Sequence, residues 1–198
     1  MLQGEFFQNP GGGGAFYNYQ IPFSARFDRA SGSYMQRTLG TPTNVDKGTF
    51  SLWFKKTLNG EYIQIFHVYD GGGVNFMWYN TDLLIMSISG GSDAGDSDGV
   101  FRDTTGWGHL VMAVDTTQSS NDDRVKAYLN GTQLSGFTGS ISQNTDFKLN
   151  KNGNTLYLGH NIGASYHMDG YFAEVIFADG QQYAPTQFGE TKNGVWIP

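Results

Sequence analysis

The chain alternates apolar and polar residues with a period of two over short runs, broken by turn-forming residues. Thr49-Phe50-Ser51-Leu52-Trp53-Phe54-Lys55 sets Phe50, Leu52 and Phe54 on one side and Thr49, Ser51, Trp53 and Lys55 on the other. In an extended strand successive side chains point to opposite faces, so this run predicts a strand with one apolar face. Asn59-Gly60 separates it from Tyr62 to Val68, and Asp70-Gly71-Gly72-Gly73 separates that run from Val74 to Tyr79. Asp82 precedes Leu83 to Ile88, and a polar loop is predicted from Ser89 to Gly99. The apolar run His109 to Val114 reads as a central strand and Thr116 to Asp123 as a loop. Arg124 to Leu129, Thr132 to Leu134, Phe147 to Leu149, Thr155 to Leu158 and Tyr171 to Phe177 complete the series, with Ser24 to Phe27 and Tyr34 to Arg37 before it. About a dozen short strands at such spacing predict a two-sheet antiparallel sandwich.

The first stretch reads differently. Met1 to Tyr19 contains Gly11 to Gly14 in a row, flanked by Phe6, Phe7, Phe16, Tyr17 and Tyr19. Four consecutive glycines lose too much conformational entropy for regular structure, while so many rings are too apolar for a solvated tail. Residues 1–20 are therefore expected to be an extended arm whose rings pack on the chain's own sandwich or on a neighbouring subunit, and residues 21–198 a single domain.

Composition supports the all-β reading: 28 glycines and 15% aromatic residues suit tight turns between half-buried strands. Without cysteine there is no disulfide framework, thiolate metal site or cysteine nucleophile. A net charge of −6, with only 12 Lys and Arg, offers no footprint for nucleic acid. No apolar run approaches the roughly 20 residues of a membrane span, and no secretory signal opens the chain, so a soluble, unprocessed start is expected.

Gly106-Trp107-Gly108-His109-Leu110-Val111-Met112-Ala113-Val114-Asp115 and Val125-Lys126-Ala127-Tyr128-Leu129-Asn130-Gly131 resemble the paired central strands of laminin-G and concanavalin-A-like domains. Leu156-Tyr157-Leu158-Gly159 and Met168 to Val175 resemble their closing strands. The resemblance implies a jelly-roll β-sandwich with Trp107 plugging one end, His109 opening an inner strand, and Asn130-Gly131 supplying the positive φ of a hairpin turn. The ending from Phe177 to Pro198 is similar to those of jelly-roll modules in virion proteins of tailed bacteriophages, marine and cyanobacterial ones among them. That similarity implies a non-enzymatic virion protein, a capsid decoration or cement subunit or a short tail adhesin, homo-oligomeric and partnered by capsid or tail subunits through its arm. The rival expectation is a lectin-like module that holds a host surface glycan.

Candidate sites are few. Glycan hydrolases of this architecture carry Glu-x-Asp-x-x-Glu, which places two carboxylates for a retaining mechanism; Glu5, Glu61, Glu174 and Glu190 form no such pair, and no catalytic residue is expected. Asp93, Asp96 and Asp98 form an acidic stretch that could offer oxygen ligands to calcium, but the spacing lacks the bidentate ligand of an EF-hand, and a solvated loop is preferred. No cofactor is expected. His67, His109, His160 and His167 are never three or four apart, so no local zinc pair exists. Tyr69, Tyr79, Tyr166 and His167 are the candidate glycan-binding residues, with His160 joining Tyr166 and His167 on one rim, because aromatic faces stack on the apolar faces of sugars.

Overall fold

A computed structural model describes residues 19–69, 74–89 and 94–198. Its strands are β1 (Ala25–Phe27), β2 (Met35–Thr38), β3 (Lys47–Lys56), β4 (Ile63–Val68), β5 (Val74–Trp78), β6 (Leu83–Ser87), β7 (Gly95–Val100) and β8 (Gly108–Asp115). After a single helical turn α1 (Asn121–Arg124) come β9 (Val125–Leu129), β10 (Thr132–Gln133), β11 (Thr155–Leu158), β12 (Gly170–Asp179), β13 (Glu190–Lys192) and β14 (Val195–Ile197). Among the described residues two six-stranded antiparallel sheets form, ordered β1-β12-β3-β8-β9-β10 and β2-β11-β4-β5-β6-β7, with β13 and β14 a separate hairpin. The expected all-β sandwich is thus present, and its core is the space between the sheets. Phe50, Leu52 and Phe54 of β3 meet Phe66, Phe76 and Trp78 there, as the period-two pattern requires.

Asn130 and Gly131 take φ of 48° and 78°, the left-handed pair that a two-residue hairpin turn demands, and join β9 to β10 as expected. Gly131 has a second reason to lack a side chain: a Cβ there would lie 2.4 Å from the Trp196 ring.

Four local expectations are corrected. Trp107 does not plug the sandwich; it is 44% exposed and sits beside Tyr171 on the outer surface, while Trp78 fills the interior. The end of the expected loop Ser89 to Gly99 is strand β7. Its Gly, Asp and Ser residues have little strand preference, yet Asp96 pairs with Ile85 and Gly95 with Met86, and Asp98 N–H donates to Ser135 O on the other side. Phe147 to Leu149 is not a strand: Lys148–Asn150 is a 3₁₀ turn that drops Phe147 and Leu149 into the core. The loop from Thr116 contains α1, held by Arg124 donating to Gln118 O and Ile141 O.

The tail beyond β12 folds back over the outer face of the first sheet. Thr49 Oγ1 donates to Gln181 O and accepts from Tyr183 N–H, and Trp196 stacks on His109. This cover explains why Ser51, Trp53 and His109, which point away from the core, are nevertheless buried. Among the described residues no such hairpin covers the outer face of the second sheet, and there the chemistry gathers.

Candidate functional site

Strand β4 departs from simple alternation. Between Gln64 and Phe66 the register against β5 shifts by a bulge, so Ile65 and Phe66 both enter the core and Gln64 and His67 both point outward. On the neighbouring strands Tyr157 stands between the inward Leu156 and Leu158, and Asn75 and Met77 flank the inward Phe76. Cross-strand pairing lines Gln36, Tyr157, His67, Asn75 and Ser87 into one row across β2, β11, β4, β5 and β6.

Over this row folds the loop 160–167. His160 and His167 pair as an isolated antiparallel bridge, their rings stacked at 4.4 Å and 12°. Inside the loop Asn161 Nδ2 donates to Gln64 Oε1 at 3.3 Å and Asn75 Oδ1 at 3.2 Å, while its Oδ1 accepts from Gly163 N–H. Asn161 thereby pins the loop to the sheet.

Aromatic rings run along both sides of this anchor. At one end Tyr166 lies flat on Tyr62, centroids 4.7 Å apart, and Tyr62 meets Tyr79 edge-on at 5.3 Å. Toward the other end Tyr34 packs on His160 and Tyr157, Tyr157 on His67, and His67 beside Tyr69. Tyr62 and Tyr69 flank the two ends of β4, seven residues apart, so the surface is roughly 23 Å long at the rise of an extended strand. Tyr34 is 47% and Tyr69 59% exposed; Tyr62, Tyr79, Tyr157 and Tyr166 are half-buried.

The histidines are neutral at ordinary pH. Burial pushes His67 down to about 4, with the neighbouring His160 adding to the effect. Burial also lowers His160 and His167, helped by His167 in the first case and by Arg29 in the second.

Of the residues singled out in the sequence, Tyr79, Tyr166 and His167 converge on this surface and Tyr69 closes its far end. Tyr34, Tyr62, His67 and Tyr157 were missed, while His160, expected on a rim with His167 and Tyr166, stacks on His167. The signal for His67 and Tyr157 was a ring in the polar slot of an alternating strand; for Tyr34 and Tyr62 only the fold brings them in. Among the arm residues Phe6, Phe7, Phe16 and Tyr17 lie outside the described residues, as does Asp93. Tyr19 is exposed, and its hydroxyl donates to Glu174 at 2.8 Å. Asp96 and Asp98 lie on β7 rather than in a loop, and among the described residues no group of three His, Asp or Glu could hold a metal ion.

A second constellation lies under the tail, where His109 Nε2 is 2.8 Å from Ser51 Oγ beside a cavity of about 440 Å³. The pair looks like a nucleophile and its base, but the proton is on the wrong nitrogen. Trp196 Nε1 is 3.0 Å from His109 Nδ1, and an indole N–H can only donate. Nδ1 is therefore the lone-pair nitrogen, Nε2 carries the hydrogen, and Ser51 accepts from it. Burial lowers His109 to about 4, so this arrangement persists at neutral pH. A serine that receives the histidine proton has no base to activate it.

The family model described as the concanavalin A-like lectin/glucanases superfamily, of the laminin-G type, matches residues 29–181. The chain belongs to this superfamily. No curated protein matches the sequence significantly. Among solved structures, domains LG4-5 of the mouse laminin alpha1 chain superpose with a TM-score of 0.58 at 14% identity, over 80% of this chain and 42% of that one. Domain 4 of the Geobacillus stearothermophilus arabinanase AbnA, in complex with arabinotriose, gives 0.52 at 22%, over 72% and 64%. A heptameric SAP-like pentraxin from Limulus polyphemus gives 0.52 at 12%, over 73% and 68%. At such identities the likeness is one of fold, and this superfamily member spans less than two thirds of the laminin and arabinanase chains.

Proposed function

We propose that this domain is a non-catalytic carbohydrate-binding module whose ligand lies along the outer face of the second sheet. The observation that carries the reading is the aromatic surface from Tyr79, Tyr62 and Tyr166 to Tyr34 and Tyr69, held over the outward polar row of β4 and β5. Sugars present alternate apolar faces and hydroxyl edges, and rings standing beside amide groups meet both demands. The superfamily membership and the arabinotriose bound by the arabinanase domain support the same reading. The absence of catalysis is supported by the inverted Ser51–His109 proton arrangement.

A setting in a phage particle, with capsid or tail subunits as partners and assembly into homo-oligomers, rests on the similarity of the chain's ending. Nearly all of the arm rings that would make those contacts lie outside the described residues, and Tyr19 is engaged by Glu174 of its own domain. The glycan reading takes precedence because the superfamily membership and the aromatic surface both support it, with mass spectrometry of purified particles as the test of the setting.

The test of the function is isothermal titration against a panel of soluble bacterial and plant polysaccharides. Tyr34→Ala and Tyr69→Ala should each weaken binding about three- to tenfold, the worth of one exposed stacking contact of about 1 kcal/mol. Phe23→Ala, 85% exposed and lining a cavity with Trp53 of the first sheet, should leave binding unchanged. Equal losses in all three, or no binding to any polysaccharide by the parent protein, would overturn the reading.

A further inference from the structure

Loop 160–167 is closed by an unusual clasp. The stacked His160 and His167 rings stand at its two ends, where the backbone comes together: Met168 N–H donates to Gly159 O at 2.8 Å and Asn161 N–H to Tyr166 O at 3.0 Å. Beneath the clasp His67 is only 2% exposed. The Nδ1 atoms of all three histidines are buried without a hydrogen-bond partner. A neutral imidazole tolerates this, because its proton can sit on Nε2 and leave a lone pair at Nδ1. An imidazolium cannot, since it carries N–H on both nitrogens and a buried donor with nothing to donate to is strongly unfavourable.

Among the described residues the surroundings offer no compensation. Tyr34, the residue before β2, and Tyr157 of β11 contribute rings, and Tyr69 flanks His67 from the end of β4. From the turn after β1, Arg29 adds positive charge toward His167, and its partner Glu61 is taken up by it at 3.0 Å. Asp169, just after the loop, is bound to Arg26, Thr57 and the Arg29 N–H, and Asp28 accepts from Ala30 N–H. No carboxylate among the described residues hydrogen-bonds to any of the three rings. Two imidazolium charges 4.4 Å apart, screened less than in bulk water, would repel.

We propose that His160 and His167 form an acid-released clasp, which holds loop 160–167 on the second sheet while both rings are neutral and lets it lift when they are protonated. The loop carries Tyr166, the partner of Tyr62, and Asn161, the anchor on Gln64 and Asn75, so release dismantles one end of the aromatic surface. The clasp as a regulator of glycan binding rests on the function proposed above, whereas loop release itself does not. The depressed proton affinities of the three rings agree with the clasp being closed at neutral pH. Acid would make binding weaken as pH falls from 7 toward 5, a ligand-release device built from the site's own walls.

The experiment is residue-resolved amide hydrogen exchange with NMR titration of the histidine Cε1–H signals, on the whole chain without ligand. Between pH 7 and pH 5, after correction for intrinsic exchange, protection of the Asn161 and Met168 amides should fall about tenfold. Amides of Leu110 and Met112 in β8 report global unfolding and should stay better protected than the loop at both pH values, any loss matching the fall in global stability read from denaturant midpoints, which separates loop release from global unfolding. The double variant His160→Phe, His167→Phe keeps two stacked rings that cannot charge, and its loop should stay protected at pH 5. Should that variant fold poorly, the titration of the parent decides: His160 and His167 signals that move together with loss of loop protection support the clasp. Loop protection unchanged at pH 5, loop amides as well protected as those of β8 at both pH values, or equal loss in the double variant would overturn it. None of these readouts uses a glycan, so failure of the glycan reading shows in the titration panel alone.

Discussion

Replacing Asp82 by asparagine removes a single charge from a site buried between two turns. Lys56 is wholly buried, and its Nζ lies 3.0 Å from Asp82 Oδ1, which also accepts from Gly60 N–H at 2.9 Å. Asp82 Oδ2 accepts from Arg102 Nε at 3.2 Å, and its backbone holds φ at 64°, a conformation that asparagine also tolerates. Burial alone would raise the Asp82 carboxyl, but the Gly60 N–H, Lys56 and Arg102 together hold it below the usual carboxylate range. In Asp82→Asn the Lys56 ammonium keeps only the Trp78 ring, 5.6 Å away, and a neutral amide. Stripping a buried charge of its partner costs about 3 kcal/mol, which for a chain of this size lowers Tm by roughly 6–12 °C. Lys56→Met leaves Asp82 with Gly60 and Arg102, and should cost no more than about 1 kcal/mol. The double variant should be more stable than Asp82→Asn alone. Urea denaturation with matched m-values measures all three. There is also a pH signature: burial lowers the Lys56 proton affinity, so once Asp82 no longer opposes it, stability should rise from pH 7 to 9 as the lysine sheds its proton. Equal costs for the two single variants, or simple additivity in the double, would refute the argument. The same carboxylate ties the turn before β4 to the turn before β6, between Tyr62 and Tyr79, so Asp82→Asn should also weaken glycan binding.

Acid should destabilise the whole domain in a defined window. His67 and His109 are held neutral down to about 4 by burial, so an unfolded chain takes up their protons first, and each removes about 3 kcal/mol as pH falls from about 6.5 to 4. Denaturant midpoints at pH 7, 5.5 and 4.5 check this, and a flat profile would contradict it. For Asp115, burial is outweighed by bonds from Thr117, Gln118 and Lys47, which bring it down to about 2; its contribution of about 2 kcal/mol should vanish between pH 4 and pH 2, and Asp115→Asn should remove that step from the curve. Gly131→Ala combines a clash with Trp196 and an unfavourable φ of 78°, so it should cost about 2 kcal/mol or more and expose Trp196, seen as a red shift in its fluorescence.

Much of this architecture follows from local pattern. Alternation in β3 assigned Phe50, Leu52 and Phe54 to the core, and Asn130-Gly131 announced its turn, because period-two burial and left-handed φ are properties of a few consecutive residues. Tyr79, Tyr166 and His167 could be suspected as ligand contacts for the same reason: rings beside turn residues are usually accessible. Pairing and cover were not legible. The β4 bulge that turns His67 outward exists only against β5, and β7 is a strand only because β6 and Ser135 satisfy its backbone. Trp107 and Trp78 look alike in sequence, yet one lies on the surface and the other fills the core, since burial depends on which segment arrives opposite. The aromatic surface and the histidine clasp likewise join residues from 34 to 167. Their meeting is set by sheet register and by the fold of one loop over another, interactions of long sequence separation that no local run encodes.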